Sequence, residues 1–244
     1  MTMTTNNELR CQKFGMEQCS YTAPDGGTLN YCRRLMNEEL PGAPAVLLFL
    51  HGAGERGDDN DKQLVHGAAE VVEWCSCNKE KVLLLFPQCP EGKQWVNTPW
   101  AELKHDLPEI SVSLKLALEM LDKEIARVGG DLDRIYVSGI SMGGYGTWDA
   151  ISRYPEKFAA AFPVCGGADL AQVPKLVSMP ILTWHGDSDS VVPCSRTRDM
   201  VAALRAAGSS AVNYVELAGC DHNSWTPAFR EEKSWQWLFS QKKK

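Results

Sequence analysis

Ser141 lies in the pentapeptide Gly139-Ile140-Ser141-Met142-Gly143, where its hydroxyl could act as a nucleophile. A serine hydroxyl is weak in that role at neutral pH, so it needs a base, and the base needs an orienting acid. Two downstream loops offer both. His185-Gly186-Asp187-Ser188-Asp189 follows the apolar run at 181–184, and Gly219-Cys220-Asp221-His222-Asn223-Ser224-Trp225 follows the run Val212–Leu217. From residue types alone, His185 and His222 compete for the base, and Asp187 and Asp189 for the acid. His185 stands against a strand end in a tight turn, the setting of a buried structural imidazole. The chain order is Ser, Asp, His, the constellation of acyl transfer through a covalent intermediate.

These side chains meet only if the elements carry them to one place. A short β-branched and aromatic run, Ile135-Tyr136-Val137, leads into the pentapeptide, and helix-like sequence starts right after Ser141, as a nucleophile elbow requires. The flanking glycines let strand and helix pass closely. Without this context the pentapeptide would carry little weight, because a chain with 20 glycines produces such matches by chance.

Elsewhere strand and helix patterns alternate, which predicts a mostly parallel sheet covered on both faces. Residues 19–23 and 29–33 read as an antiparallel hairpin turned by Pro24-Asp25-Gly26-Gly27. Ala45–Leu50, 82–86, 135–138, 159–164, 181–184 and Val212–Leu217 read as buried strands. A helix is predicted from an Asp106 N-cap with Pro108 in its first turn to a stop at Gly129-Gly130, and a terminal helix over 228–239. Between 164 and 181 there is room only for a loop and a short helix, so little or no lid is expected. Residues 1–244 read as a single domain, with 1–16 a poorly ordered or extended segment.

Composition bounds the function. The chain has 244 residues, 44% hydrophobic and 23% charged, as in an ordinary globular protein. A net charge of −6 disfavours a nucleic-acid surface, and the Lys242-Lys243-Lys244 cluster reads as a solvated end. No apolar run reaches membrane-span length. The first residues lack an apolar h-region, so a cytoplasmic location is expected, or secretion if a leader has been removed. The nine cysteines have irregular spacing and read as free thiols. Cys75-Ser76-Cys77 lacks the second pair a zinc site needs, so neither metal nor cofactor is expected.

With these motifs assembled, the chain resembles an α/β-hydrolase of the esterase kind from about Tyr21 to Leu238. The segment 185–193 matches that family's His-Gly-x-x-Asp-x-x-Val-Pro pattern, which assigns the acid to Asp189 and the base to His222. Leu50-His51-Gly52-Ala53-Gly54-Glu55-Arg56-Gly57-Asp58-Asp59-Asn60, Pro87-Gln88-Cys89-Pro90 and His222-Asn223-Ser224-Trp225 are similar to compact bacterial phospholipase/carboxylesterases and "predicted peptidases" related to feruloyl and other carbohydrate esterases. The resemblance implies an α/β-hydrolase fold with an N-terminal antiparallel hairpin. It also implies an oxyanion hole built from the backbone amides of Ala53 and Met142, and a substrate contact at Gln88. His51 has the structural reading of His185. Glu55 and Arg56 would pair and brace the oxyanion loop, or Arg56 would touch substrate.

The eight tryptophans bear on specificity. Trp225 lies three residues past His222, and Trp95 and Trp100 lie in a loop leaving the same sheet edge, so all three are candidate walls for a flat acyl group or a sugar face. Trp148, Trp235 and Trp237 read as packing residues. His66 and His105 carry no motif and are expected at the surface. The expected substrate is a small or carbohydrate-linked ester, acted on by a monomer or small homo-oligomer. A serine peptidase of the prolyl-oligopeptidase type without its gating domain, and a non-catalytic ligand binder, are the alternative functions.

Overall fold

A computed structural model describes residues 9–243. Eight strands form one sheet in the order β1-β2-β4-β3-β5-β6-β7-β8. They are β1 (Glu17–Thr22), β2 (Thr28–Met36), β3 (Ala45–Leu50), β4 (Val82–Pro87), β5 (Ile135–Ile140), β6 (Ala160–Val164), β7 (Ile181–Gly186) and β8 (Val212–Leu217). β1 pairs antiparallel with β2, and β2 antiparallel with β4; β4, β3 and β5 to β8 run parallel. This is the α/β-hydrolase architecture.

Helices α1 (Arg10–Lys13), α2 (Ala68–Asn78), α3 (Val112–Val128), α4 (Met142–Arg153), α5 (Val173–Leu176), α6 (Ser195–Ala206), α7 (Trp225–Arg230) and α8 (Glu232–Ser240) surround the sheet. Period-two alternation along the central strands divides the core in two. Val46, Leu48, Leu50 and Val137 pack with Leu114, Leu121, Trp148 and Met200 on one face. Leu47, Phe49 and Tyr136 pack with Val71, Phe229, Trp235 and Leu238 on the other. Among the described residues, no helix is long and apolar enough to cross a membrane.

Three expectations need correction. The Asp106 N-cap is wrong: α3 starts at Val112, capped by Ser111, whose Oγ accepts from Leu114 N at 3.0 Å and donates to Trp95 O at 2.7 Å. Residues 104–111 carry no helix, and Leu107 N is bonded to Asp169 Oδ2 at 3.1 Å. The terminal helix is two helices, broken at Glu231, which has extended backbone and whose carboxylate caps α8 through Lys233 N. Residues 10–13 are helical, not extended, and docked: Cys11 is buried and its amide donates to Asp61 Oδ1 at 2.9 Å. Residues 1–8, which shared that expectation, lie outside the described residues.

The connection from β6 to β7 holds only a 3-10 turn, Leu170–Gln172, and the four-residue α5. That connection is too short to hold a lid domain over the carboxyl edge of the sheet.

Candidate active site

Ser141 sits between the end of β5 and the start of α4 with φ 52° and ψ −117°. A non-glycine residue held at positive φ is strained, and the packing that holds it is tight. A Cβ on Gly143 would stand 1.9 Å from Leu50 O, and one on Gly139 would stand 2.4 Å from Gly143 O. Only hydrogen fits at either place. The same close approach presses the first turn of α4 against the end of β3, just ahead of Ala53.

The hydroxyl thus raised meets an imidazole. His222 Nε2 is 2.9 Å from Ser141 Oγ, and His222 Nδ1 is 2.8 Å from Asp189 Oδ2. Three side chains from the ends of β5, β7 and β8 form one hydrogen-bonded line. Asp189 has no side-chain exposure, whereas His222 keeps 19%. Burial pushes the Asp189 carboxyl up, but hydrogen bonds from His185, His222 and the Val192 and Val191 amides outweigh it and hold the group well below the usual carboxylate range. The acid therefore stays ionised.

The competitors take other work. Asp187 accepts from Gly219 N at 2.7 Å and from Ser188 Oγ at 2.8 Å, which ties the two loops together. His185 is fully buried, with Nδ1 2.7 Å from Thr197 Oγ1 and Nε2 3.0 Å from Val192 O. Asp221, which the sequence reading passed over, bonds Ser190 N, Ser190 Oγ and His222 N, each at 2.8 Å. It clamps the histidine loop to the aspartate loop. A Cβ on Gly186 would stand 2.2 Å from Cys220 O, so these loops touch as backbones. Burial holds the neighbouring Cys165 thiol well above its ordinary range, so it is a neutral neighbour.

Ala53 opens a 3-10 turn and Met142 opens α4. Amides in the first turn of a helix have no intrahelical acceptor, so both are free for a ligand. Arg56 braces the Ala53 loop without pairing with Glu55: its Nε donates to Ala53 O at 2.8 Å and its Nη1 to Lys93 O at 3.3 Å. Glu55 faces His66 instead, at 3.7 Å. His51 is buried, accepts from Cys89 N at Nε2 (2.9 Å) and donates from Nδ1 to Gly52 O (2.6 Å). Burial pushes it down to about 4, so it stays neutral.

Of the expected aromatic walls, Trp225 stands at the site, its ring 5.2 Å from the His222 ring and nearly perpendicular to it. Trp100 is half-buried, and its carbonyl accepts from Tyr145 Oη at 2.9 Å. Trp95 and Gln88 do not face the cleft, which corrects both expectations. Trp95 has no exposure and donates from Nε1 to His51 O at 3.0 Å. Gln88 is 1% exposed, accepts from Asn60 N at 2.7 Å and donates to Asp59 Oδ1 at 3.0 Å. Both build the floor of the loops. His66 and His105 are half-buried among specific partners, not free on the surface.

The sequence pattern of the phospholipase/carboxylesterase family matches residues 32–235. The chain belongs to that family. Several proteins that it resembles are named as esterases. A thermostable esterase of known structure is 33% identical with a TM-score of 0.85, over 93% of this chain and 63% of that one. A ferulic acid esterase superposes with a TM-score of 0.69 at 16% identity, over 92% and 97% of the two chains, a likeness of fold. An uncharacterized secreted protein of Arthroderma benhamiae is 26% identical over 85% of this chain and 25% of its own length. The chain thus spans a quarter of that relative and under two thirds of the thermostable esterase.

Proposed function

We propose that this phospholipase/carboxylesterase family member hydrolyses carboxylic esters through a serine acyl-enzyme. The observation that carries the reading is the unbroken line from Ser141 Oγ to His222 at 2.9 Å and from His222 to Asp189 at 2.8 Å.

In the first half-reaction His222 Nε2 takes the Ser141 proton as Oγ attacks the ester carbonyl. The Ala53 and Met142 amides receive the oxygen that becomes negative; one such donor is worth about 3 kcal/mol in the transition state. His222 then gives its proton to the departing alcohol. In the second half, water attacks the acyl-enzyme, with the same imidazole as base and then acid. Asp189 remains ionised throughout and stabilises the imidazolium.

Aryl and acetyl esters, including feruloyl or acetyl groups on polysaccharide, are the substrates we favour. The Trp225 ring beside His222 suits a flat acyl group, and the resemblance to a ferulic acid esterase is consistent with that.

The test uses p-nitrophenyl acetate and methyl ferulate with a fluorophosphonate probe. Turnover of both and labelling of the wild type, each lost in Ser141→Ala, are expected. Labelling or full turnover in Ser141→Ala would end the assignment.

A further inference from the structure

Among the described residues, one buried cation at the catalytic edge of the sheet forms no ion pair with a carboxylate. Arg196, near the start of α6, is 3% exposed. Among the described residues no aspartate or glutamate pairs with it. Desolvating a guanidinium is costly unless a carboxylate meets it. Here Nη2 donates to His105 Nδ1, the guanidinium carbon lies 5.4 Å from the Tyr145 ring centre, and Nε is buried with no acceptor. Burial first, and then the Arg196 charge, push His105 down to about 4, so this partner is neutral.

The group adjoins the nucleophile. Tyr145 stands one turn beyond Ser141 in α4, its amide donating to Ser141 O at 3.0 Å. A Cβ on Gly166 would stand 2.5 Å from Gly144 C, and one on Gly167 would stand 2.6 Å from Arg196 Nε. The first turn of α4, the Gly166-Gly167 backbone and the guanidinium are therefore layered directly on one another. His105 covers this layer from a loop that leaves the same sheet edge. Nε and Nη2 form one edge of the guanidinium fork. With His105 displaced, that edge offers two parallel N–H groups, the geometry that matches a carboxylate.

We propose that Arg196 is the recognition group for an anionic ester, a substrate bearing a carboxylate a few carbons from the scissile bond, which replaces His105 on the guanidinium. This rests on the ester-hydrolase reading and narrows its substrate class. Neutral aryl and acetyl esters then serve as basal substrates, and the carboxylate supplies the extra affinity.

The test compares matched esters by pH-stat. Monomethyl adipate against methyl hexanoate puts the charge on the acyl side; 4-acetoxybenzoate against phenyl acetate puts it on the alcohol side. In one pair the anionic ester is expected to have the higher kcat/KM. Arg196→Gln is expected to cut that ratio ten-fold or more, through KM. His105→Ala, which uncovers the guanidinium, is expected to lower KM for the same anionic ester. No anionic preference in either pair, or a preference that survives Arg196→Gln, overturns the proposal.

If Arg196→Gln does not fold, Arg196→Lys replaces it, with adipate binding by calorimetry as the second readout. Binding by the wild type and ten-fold weaker binding by the variant support the proposal; absent or equal binding overturns it. This readout needs no turnover. A protein that binds adipate through Arg196 but cleaves no ester would sink the hydrolase reading alone.

Discussion

His185 Nε2 lies 3.2 Å from Asp189 Oδ2, the same oxygen that receives His222 Nδ1 at 2.8 Å. Oδ1 takes the Val191 and Val192 amides at 2.9 and 2.8 Å. A buried carboxylate with four donors is fixed in position as well as charge. His185 is therefore a positioning residue, itself anchored on Thr197.

His185→Phe would orphan Asp189 Oδ2 on one side, along with Val192 O. Leaving a buried acceptor unpaired costs about 2 kcal/mol, so the urea midpoint is expected to fall. A loss of about 1.4 kcal/mol in transition-state positioning would lower kcat about ten-fold. Steady-state kinetics at a temperature where the variant is folded separate the two effects. Wild-type kcat there would refute the positioning role.

Asp189→Asn removes the charge that holds the imidazole tautomer and stabilises its cation. On the order of a 10⁴-fold drop in kcat is expected. Asp187→Asn, which alters only the bonds from Gly219 and Ser188, is expected to leave kcat within a few-fold of wild type. Reversed effects in the two variants would exchange the residues' roles.

Gly143→Ala places a Cβ where Leu50 O already stands, 1.9 Å away. Neither backbone can yield without parting β3 from α4. A loss above about 4 kcal/mol is expected, an unusually large effect for one methyl group. Thermal unfolding of the purified variant measures it, and a near-native midpoint would show that the elbow is looser than described.

Arg56→Ala removes the donor on Ala53 O and the link to Lys93 O. The Ala53 amide would lose its fixed direction, and a misaimed oxyanion donor is felt in the transition state more than in substrate binding. The expected result is a kcat about ten-fold lower with KM little changed. A rise in KM alone would instead mark Arg56 as a substrate contact.

His51 links stability to pH. Its pKa is lowered from 6.5 to about 4 in the folded state, chiefly by burial. Below 6.5 the unfolded chain takes up a proton that the folded protein refuses. The stability this residue supports is thus complete above 6.5, declines as pH falls and levels off below about 4. The gap corresponds to on the order of 3 kcal/mol. His105 acts in the same direction. Urea midpoints of the wild type and His51→Gln at pH 7, 6, 5 and 4 test this. The variant's midpoint is expected to fall less steeply, and parallel curves would contradict the linkage.

Local pattern and chain order were enough to find the sheet and the nucleophile. The runs Ala45–Leu50 and Val212–Leu217 are strands with the predicted bounds, because an apolar run is a property of consecutive residues. But β8, expected to be buried, is a half-exposed edge strand. Gly139 and Gly143 marked the elbow, because no other residue fits between Leu50 and α4. The start of α3 was misread because Asp106 and Pro108 are also good capping residues. What chose Ser111 was its bond to Trp95 O, sixteen residues earlier.

The sequence by itself determined the alternation of strands and helices, the order of serine, acid and base, and the loops that carry them. Tertiary structure decided which imidazole faces Ser141 and which sits buried behind Asp189. It also turned Trp95 and Gln88 inward and left Arg196 without a carboxylate. The reason is physical: the orientation of a loop side chain is set by partners distant in the chain, as Trp95 is set by a carbonyl at His51 and Arg196 by a ring at Tyr145. Spacing along the chain does not encode those encounters; close packing of the folded molecule creates them.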